Sequence, residues 1–394
     1  MISSIKSHPP HNKTVLLRVD FNISLNKKHQ IADDFRIQRT LPTIKKLLKD
    51  HNKIIILAHL GRPKGVDPKF SLKPVREKLQ SYLPNYHVVL YDSTEKIRNH
   101  EWKKNDILML ENLRFFPGEQ AKDPEFAQEL ASLAKVYIND AFGNCHRSDT
   151  SMVGIVKLLP SYAGLLLVQE IVMLDYVMRH PQHPVLAIMG GAKVSTKIDL
   201  LSKLMEIADT LLVGGGLANT FFAAEGYPIG SSFYERDEKT HAQKLLHLSE
   251  TNKTELVLPT DVIIGSINDP DGDDLVVKPS EIARGEKRAI LDIGPETQAE
   301  WGNRIAQAKT IIWNGPVGYT EHPSFARGTD FIYYSITQNT HAVSVVGGGE
   351  TLAAISKKEY LDHITHISTG GGAMLEYIEK GTLPGVEALI SSRY

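Results

Sequence analysis

Short apolar segments rich in β-branched residues recur along the chain, and most are followed by a segment with helical periodicity. In the first half the predicted strands are Thr14–Val19 and residues 54–58, 107–110 and 136–138. In the second half they are Val185–Met189, Ala289–Ile293 and residues 211–213, 256–258, 310–313, 342–346 and 363–367. Continuous apolar strands that alternate with helices are typical of βαβ units. The pattern therefore predicts an α/β fold of parallel sheets flanked by helices.

A helix is predicted to begin after Asp33 and Asp34, either of which could cap it. Apolar residues then recur at helical spacing, namely at Ile37, Leu41, Ile44 and Leu48. This prediction puts Arg36 in the first helical turn, at the same end of the sheet as the residues that follow the strands.

The length predicts two domains, because 394 residues exceed the roughly 250–300 residues that one hydrophobic core serves. No Ser- or Gly-rich linker divides the chain. The best candidate for the joint is residues 164–179, an apolar and helical segment ahead of Pro181. We therefore expect a first lobe at residues 1–168 and a second from residue 169, joined by a hinge helix.

Polar clusters follow the predicted strands of the first half. They are Arg18-Val19-Asp20-Phe21-Asn22, His59-Leu60-Gly61-Arg62, Glu111-Asn112-Leu113-Arg114 and residues 139–147, which end in Cys145-His146-Arg147. Because ligands of open α/β sheets bind at the carboxyl ends of strands, these clusters are expected to converge on one crevice. Arginines with few carboxylates beside them favour a polyanion. For His59 a purely structural role stays open, and Cys145 is interpreted as a small buried hydrophobe rather than a nucleophile.

Glycine sets follow apolar segments in the second half. They are Gly190-Gly191, Gly214-Gly215-Gly216, Gly347-Gly348-Gly349 and Gly370-Gly371-Gly372, each expected to open a helix. A helix N-terminus that follows glycines favours a phosphate. Lys193 and Lys197 are four residues apart and are predicted to share one face of the first helical turns, although two solvated lysines would also explain them. The chain contains neither a Walker P-loop nor a Gly-x-Gly-x-x-Gly fingerprint.

Charge and composition narrow the class of protein. Residues 1–165 carry 26 Lys and Arg against 17 Asp and Glu, and the remainder carries 19 against 29. No basic run or aromatic-interleaved stripe suggests nucleic acid. One cysteine fits a reducing compartment, and neither a signal peptide nor a membrane span is predicted. We expect a cytoplasmic enzyme.

The motifs together resemble the phosphoglycerate kinase family essentially end to end. The matching segments, besides the clusters after the first-half strands, are Gly190-Gly191-Ala192-Lys193-Val194-Ser195, Gly214-Gly215-Gly216-Leu217-Ala218-Asn219-Thr220-Phe221, Asp292-Ile293-Gly294-Pro295, Trp313-Asn314-Gly315-Pro316 and Ser368-Thr369-Gly370-Gly371-Gly372-Ala373.

The resemblance implies two Rossmann-like lobes and reversible phosphoryl transfer from 1,3-bisphosphoglycerate to ADP, with Mg²⁺ and domain closure. It implies a monomer in which residues 169–380 form the nucleotide lobe and residues 381–394 pack back on the first lobe. Phosphoglycerate would be bound by Asp20, Phe21, Asn22, Arg36, His59, Leu60, Gly61, Arg62, Arg114 and Arg147. The nucleotide would be bound by Lys193, Lys197, Gly294, Glu321, Gly348, Gly349, Glu350 and Thr351, and catalysis would fall to Arg36, Lys193, Gly371 and Gly372.

Four positions depart from the commonest family pattern, namely Ser24, Asp149, Thr196 and Glu350. Two of them concern the metal. Thr196 stands where the family often has an aspartate, and Glu350 stands where aspartate is usual. Glu350 is therefore the one predicted protein ligand of Mg²⁺, which usually keeps phosphate oxygens and water as its other ligands.

Two other readings stay open from the sequence. The glycine turns could serve a dinucleotide-dependent dehydrogenase, against which the missing third glycine argues. The chain could also be a silent relative that binds without catalysing, against which the intact Arg36, Lys193 and Lys197 argue.

Overall fold

The computed structural model describes residues 2–26, 30–251, 253–269, 272–356 and 359–392, without the side chain of Glu350. The chain divides into two compact units. The first combines Met1–Val172 with Thr382–Tyr394, and the second is Met173–Gly381.

The strands of the first unit are β1 (Thr14–Val19), β2 (Lys53–Leu57), β3 (His87–Tyr91), β4 (Asp106–Leu110), β5 (Val136–Asp140) and β6 (Ser161–Ala163). Those of the second unit are β7 (Val185–Met189), β8 (Thr210–Val213), β9 (Glu255–Val257), β10 (Val262–Gly265), β11 (Leu275–Val277), β12 (Ala289–Ile293), β13 (Thr310–Asn314), β14 (Val343–Gly347) and β15 (His366–Ser368).

The helices before the second unit's sheet are α1 (Phe35–Lys49), α2 (Lys73–Tyr82), α3 (Thr94–Arg98), α4 (Pro117–Ala121), α5 (Pro124–Ala131) and α6 (Leu165–Arg179). Those that follow are α7 (Ile198–Ile207), α8 (Gly215–Glu225), α9 (Lys239–Thr251), α10 (Pro295–Gln307), α11 (Arg327–Gln338), α12 (Gly349–Ala354), α13 (Gly372–Lys380) and α14 (Pro384–Ser391). The division between the units falls inside α6, between Val172 and Met173.

In each unit the described residues form a six-stranded sheet with only parallel pairs. The strand order is β3-β4-β2-β1-β5-β6 in the first unit and β15-β14-β13-β7-β8-β9 in the second. The central strands are apolar along their length because helices cover both faces, as in β7, where every residue is buried. The predicted α/β class with parallel sheets is confirmed.

A small antiparallel sheet, in the order β11-β10-β12, accompanies the large sheet of the second unit. The sequence pattern grouped Ala289–Ile293 with the parallel strands, and this was wrong. The pattern also missed β3, β6, β10 and β11, and it extended the last strand to residues 363–367, where a 3₁₀ turn precedes β15. β3, β6 and β11 lie at sheet edges. β6 is only three residues long, and β3 and β11 are apolar strands whose residues are mostly exposed or only partly buried.

The last helix belongs to the first unit. In α14, Val386 and Leu389 are buried, and the N–H of Gly385 donates to the carbonyl of Cys145 at 2.9 Å. A side chain at position 385 would lie 3.1 Å from the backbone of Cys145 and from Met152. This contact fixes α14 directly beside the segment that carries His146 and Arg147.

Among the described residues, no helix combines the length and the apolar character needed to span a bilayer.

Asp261 caps α10 from outside that helix. Its carboxylate accepts hydrogen bonds from the N–H groups of Glu296 at 3.0 Å and Thr297 at 2.7 Å. The carboxylate lies only 2.3 Å from where a Cβ on Gly294 would be, so a glycine is required there for space. Because Asp261 is 2% exposed, the buried helix terminus depends on it.

We expect Asp261→Ala to lower the free energy of unfolding of the second unit by about 1–3 kcal/mol, because buried N–H donors would lose their acceptor. Urea unfolding followed by the fluorescence of Trp301 and Trp313, both buried in that unit, measures this change. The neighbouring exposed Thr260→Ala is the control and should change the value by less than about 0.5 kcal/mol. Equal unfolding midpoints for the two variants would contradict the capping role.

Candidate active site

Arg36 lies in the first turn of α1, as predicted, and is held at the carboxyl end of β1. Its Nη1 donates to the carbonyl oxygen of Asn22 at 2.6 Å and lies 3.2 Å from the Asp20 carboxylate. Asp33 Oδ1 accepts the N–H of Phe35 at 2.8 Å and so supports the start of the helix. The guanidinium is thus oriented before any ligand is present.

His59 follows β2 and is buried beside Arg18. Arg18 Nη2 lies 3.4 Å from His59 Nδ1, and because a guanidinium can only donate, Nδ1 must be the unprotonated nitrogen. Burial lowers the pKa of His59 well below its usual range, and the charges of Arg18, Arg147, Arg36 and His146 lower it further. His59 is therefore a neutral imidazole with its proton on Nε2, which has no hydrogen-bond partner in the described part of the chain.

The loop after β2 is fixed by amide side chains. Asn112 donates to the carbonyl of Leu60 at 2.8 Å and accepts its N–H at 3.3 Å, while Asn22 Oδ1 accepts the N–H of Gly61 at 2.8 Å. Arg114 Nη1 donates to the carbonyl of Gly61 at 2.7 Å. This loop therefore joins the ends of β1, β2 and β4, as convergence at the carboxyl edge requires.

The other predicted site residues of the first unit differ in their exposure and in the groups that a ligand could reach. Arg147 is half-buried with Nε lacking a partner among described residues, and its charge acts on His59. The side chain of Arg62 is exposed. Phe21 and Leu60 are buried, at 0% and 2% exposure, so only their backbones could meet a ligand.

A buried network supports this site from behind. Arg18 Nε donates to the Ser151 hydroxyl at 2.8 Å, and that hydroxyl donates to Glu119 at 2.5 Å. Burial raises the pKa of Glu119 to about 6, although the charge of Arg18 opposes the rise. Sequence reasoning gave no role to Ser151 or Glu119, because their contact joins two segments that are 32 residues apart in the chain.

Asp140 does not point to the crevice. β5 extends to this residue, whose carboxylate accepts the N–H of Leu167 at 3.1 Å at the start of α6. Burial raises its pKa to about 7. Cys145 is also buried, and burial raises the pKa of its thiol to about 12, so the interpretation as a buried hydrophobe holds.

The first unit therefore presents cations and N–H donors that few carboxylates neutralise. Asp20 is the acidic partner of Arg36, whereas Arg114 donates to a carbonyl. Such a surface suits a small, highly charged anion.

The second unit contains a cavity of about 720 Å³ at the carboxyl edge of its sheet. Its walls include Gly215 and Gly216, Phe222, β12 and residues 316–321, of which Glu321 is exposed at the rim. Gly215 has φ +64, and a Cβ there would lie 2.9 Å from the carbonyl of Pro316, so the close approach requires glycine. The volume and mostly apolar lining suit a flat organic group such as a nucleobase.

The segment between β7 and α7 corrects the prediction for the two lysines. Residues 191–197 form bends and turns, and α7 begins only at Ile198 with Lys197 as its N-cap. Lys193 and Lys197 therefore do not share a helical face. The other glycine sets do open helices, namely α8, α12 and α13.

Lys197 is oriented by its surroundings. Its Nζ donates to the carbonyl of Gly190 at 2.6 Å and to Asn314 Oδ1 at 3.3 Å. Lys193 is exposed. The pair thus combines one anchored and one solvent-facing ammonium group on the same loop.

The glycines near α12 and α13 fall into two groups. A Cβ at Gly347 would lie 2.1 Å from the sulfur of Met374, so packing alone requires that glycine. At Gly349, Gly371 and Gly372 an added Cβ would meet nothing within 4 Å. Packing therefore does not explain these three, but Gly371 has a φ of +49, which favours glycine. At Gly349 and Gly372 neither packing nor a positive φ requires a glycine, and the backbone is open to a ligand.

Thr351 and Glu350 follow in α12. The Thr351 hydroxyl is buried, donates to the carbonyl of Gly347 at 2.6 Å and accepts the N–H of Gly315 at 2.8 Å, so it fixes the loop. The side chain of Glu350 lies outside what the structure describes. Among the described residues, no three His, Cys, Asp or Glu side chains form a group that could hold a metal ion.

Comparison with known proteins gives one consistent family. The family described as phosphoglycerate kinase matches residues 5–381. The phosphoglycerate kinase of Koribacter versatilis is 42% identical over 401 residues, with 98% of each chain covered.

Solved structures similar to this chain come from the same family. That of phosphoglycerate kinase from Coxiella burnetii has a TM-score of 0.87 and 36% identity, and that from Pyrococcus horikoshii has a TM-score of 0.87 and 31% identity. Each comparison covers 99% of both chains. These matches confirm the resemblance seen in the motifs, and the chain therefore belongs to the phosphoglycerate kinase family.

Proposed function

We propose that this protein catalyses reversible transfer of a phosphoryl group from 1,3-bisphosphoglycerate to ADP, giving 3-phosphoglycerate and ATP. The observation that carries the proposal is the chemical difference between the two sites. One unit offers Arg36, Arg114 and a neutral His59, which suit a small anion, and the other offers an apolar cavity beside a lysine-bearing loop.

The anion site is proposed to hold the phosphoglycerate. His59 Nε2 would donate a hydrogen bond to a phosphate or carboxylate oxygen, because its Nδ1 already faces Arg18. Arg114 and Arg147 each have an Nε without a partner in the described structure. Together with Arg62 at the exposed edge, they would supply charge-assisted hydrogen bonds.

The nucleotide is proposed to lie in the second unit, with its base in the cavity and Glu321 at the ribose. Lys193 and Lys197 would meet the phosphates, as would the backbone of Gly348–Thr351. Gly294 contributes by packing on Asp261 at the start of α10, next to the β12 wall.

Magnesium is proposed to arrive with the nucleotide phosphates as part of the substrate. When bound, it would neutralise charge on the phosphate oxygens. Glu350 is the protein carboxylate proposed to reach it, because Thr196 carries a hydroxyl that donates to the carbonyl of Lys193 at 3.2 Å.

Catalysis would consist of orientation and charge neutralisation. The acceptor carboxylate of 3-phosphoglycerate is ionised at pH 7, so no general base is needed. Arg36, Lys193 and the backbone at Gly371 and Gly372 are proposed to stabilise the charge that spreads over the transferred group. Since donor and acceptor must meet without water, domain closure hinged at α6 belongs to the proposal.

A cytoplasmic monomer is proposed as well. One cysteine in 394 residues fits a reducing compartment, and all residues assigned to both substrates come from one chain.

A coupled assay tests the proposed reaction. Purified protein with 3-phosphoglycerate, MgATP, glyceraldehyde-3-phosphate dehydrogenase and NADH should oxidise NADH only when both substrates are present, and EDTA should abolish the signal. A verified coupling system that gives no signal would reject the activity and favour a binding-only relative.

Arg36→Ala is expected to reduce kcat at least about 100-fold, because its charge acts most strongly in the transition state. The dissociation constant of 3-phosphoglycerate should change less than about fivefold. Steady-state kinetics and calorimetry separate the two effects. Lys45→Ala, at an exposed position on the same helix, is the control, and an unchanged kcat with much weaker binding would make Arg36 only an anchor.

Lys197→Ala is expected to weaken ADP binding by about 1.5–3 kcal/mol, the value of a hydrogen bond to a charged group. Calorimetric titration with MgADP measures it. Lys203→Ala on α7, whose ammonium pairs with Glu206, controls for the loss of one charge. An unchanged dissociation constant for ADP would show that Lys197 only supports the loop.

A further inference from the structure

Glu235 contacts the loop that carries Lys193 and Lys197. One carboxylate oxygen accepts the N–H of Ser195 at 2.9 Å, and the other accepts the Ser195 hydroxyl at 2.5 Å. Burial alone would raise the pKa of Glu235, but the hydrogen bonds from Ser195 and Val194 and the charge of Lys193 hold it below its usual range. The carboxylate is thus ionised and directed at the backbone of this loop.

Glu235 is itself anchored to a rigid element. Its N–H donates to the hydroxyl of Thr220 at 3.1 Å, and Thr220 is fully buried in α8. Two residues earlier, the carbonyl of Phe233 accepts the side-chain amide of Asn219, which is 2% exposed. Contacts with α8 therefore fix the position of the segment around Glu235.

The other end of the loop is held by backbone hydrogen bonds. The N–H of Gly191 donates to the carbonyl of Pro316 at 2.8 Å, and its carbonyl accepts the N–H of Leu217 at 2.8 Å. Lys193 therefore lies between two fixed points, Gly191 on one side and the Val194–Ser195 contact with Glu235 on the other. Because Lys193 is exposed, these two points determine where its ammonium group can reach.

We propose that Glu235 is a positioning residue that holds the loop at residues 191–197 so that Lys193 meets the transferred phosphoryl group. The inference rests on the proposed function and adds a residue that touches neither substrate. Without the carboxylate, Lys193 would keep its charge but its ammonium group would no longer be held in position. We therefore expect kcat to fall more than the affinity for the substrates.

Glu235→Gln tests the proposal, because the amide keeps the size of the side chain but loses the charge and one acceptor. With saturating MgATP and 3-phosphoglycerate, kcat should fall about tenfold. The dissociation constant of 3-phosphoglycerate, bound by the other unit, should not change. Glu238→Gln is the matched control, since that carboxylate lies three residues away and contacts His241 instead.

The effect must also depend on Lys193. In a Lys193→Ala background, adding Glu235→Gln should lower kcat by less than about twofold, because the group being positioned is already gone. An equal tenfold loss in both backgrounds would overturn the positioning role. So would tighter binding of MgADP by Glu235→Gln, which would mean that the carboxylate competes with phosphate for the loop.

A measurement without substrates separates this inference from the proposed reaction. Limited trypsin digestion should cut after Lys193 and Lys197 several-fold faster in Glu235→Gln than in the wild type or Glu238→Gln. If the wild type shows no turnover, the proposed function fails, but the cleavage rates still test whether Glu235 holds the loop. Identical cleavage rates would overturn this positioning role whatever the activity.

Discussion

Backbone carbonyls orient cations in both candidate sites, and the rest of each site depends on this arrangement. Arg36 donates to the carbonyl of Asn22 and also pairs with Asp20, whereas Arg114 donates to the carbonyl of Gly61 and Lys197 to that of Gly190. A carboxylate partner would fix a cation equally well but would cancel much of its field. Carbonyl partners fix the direction of the group and leave its charge for a ligand.

This arrangement requires a backbone that ends in the right place, which parallel strands provide. The carbonyls of Asn22 and Gly190 lie just beyond β1 and β7, and Gly61 follows β2. Carboxyl ends of neighbouring parallel strands meet at one edge, so the orienting groups of one unit come together without long loops. Buried amide side chains then fix the loops that follow the strands, as Asn112 does by donating to the carbonyl of Leu60 after β2.

Much of the fold, and the positions of several candidate site residues, could be predicted from the sequence. Central parallel strands are apolar on both faces, and polar residues begin directly where these strands end. Arg36, His59 and the glycines of α8, α12 and α13 were placed correctly by that logic. Helical spacing misplaced Lys193 and Lys197, since a pattern of two charged residues does not distinguish a turn from a helix. Glu235 and Glu119 could not be predicted, because their roles arise from contacts between distant segments of the chain.

The return of α14 to the first unit affects how the chain can fold as it is synthesised. Most of the first unit precedes the second in the chain, yet the packing at Cys145 requires Gly385, which lies in α14. The second unit is one uninterrupted stretch, Met173–Gly381, and emerges whole before that helix exists. Domains usually mature on the ribosome from the N-terminus onward. The first unit can therefore complete its packing only after the whole second unit has been synthesised.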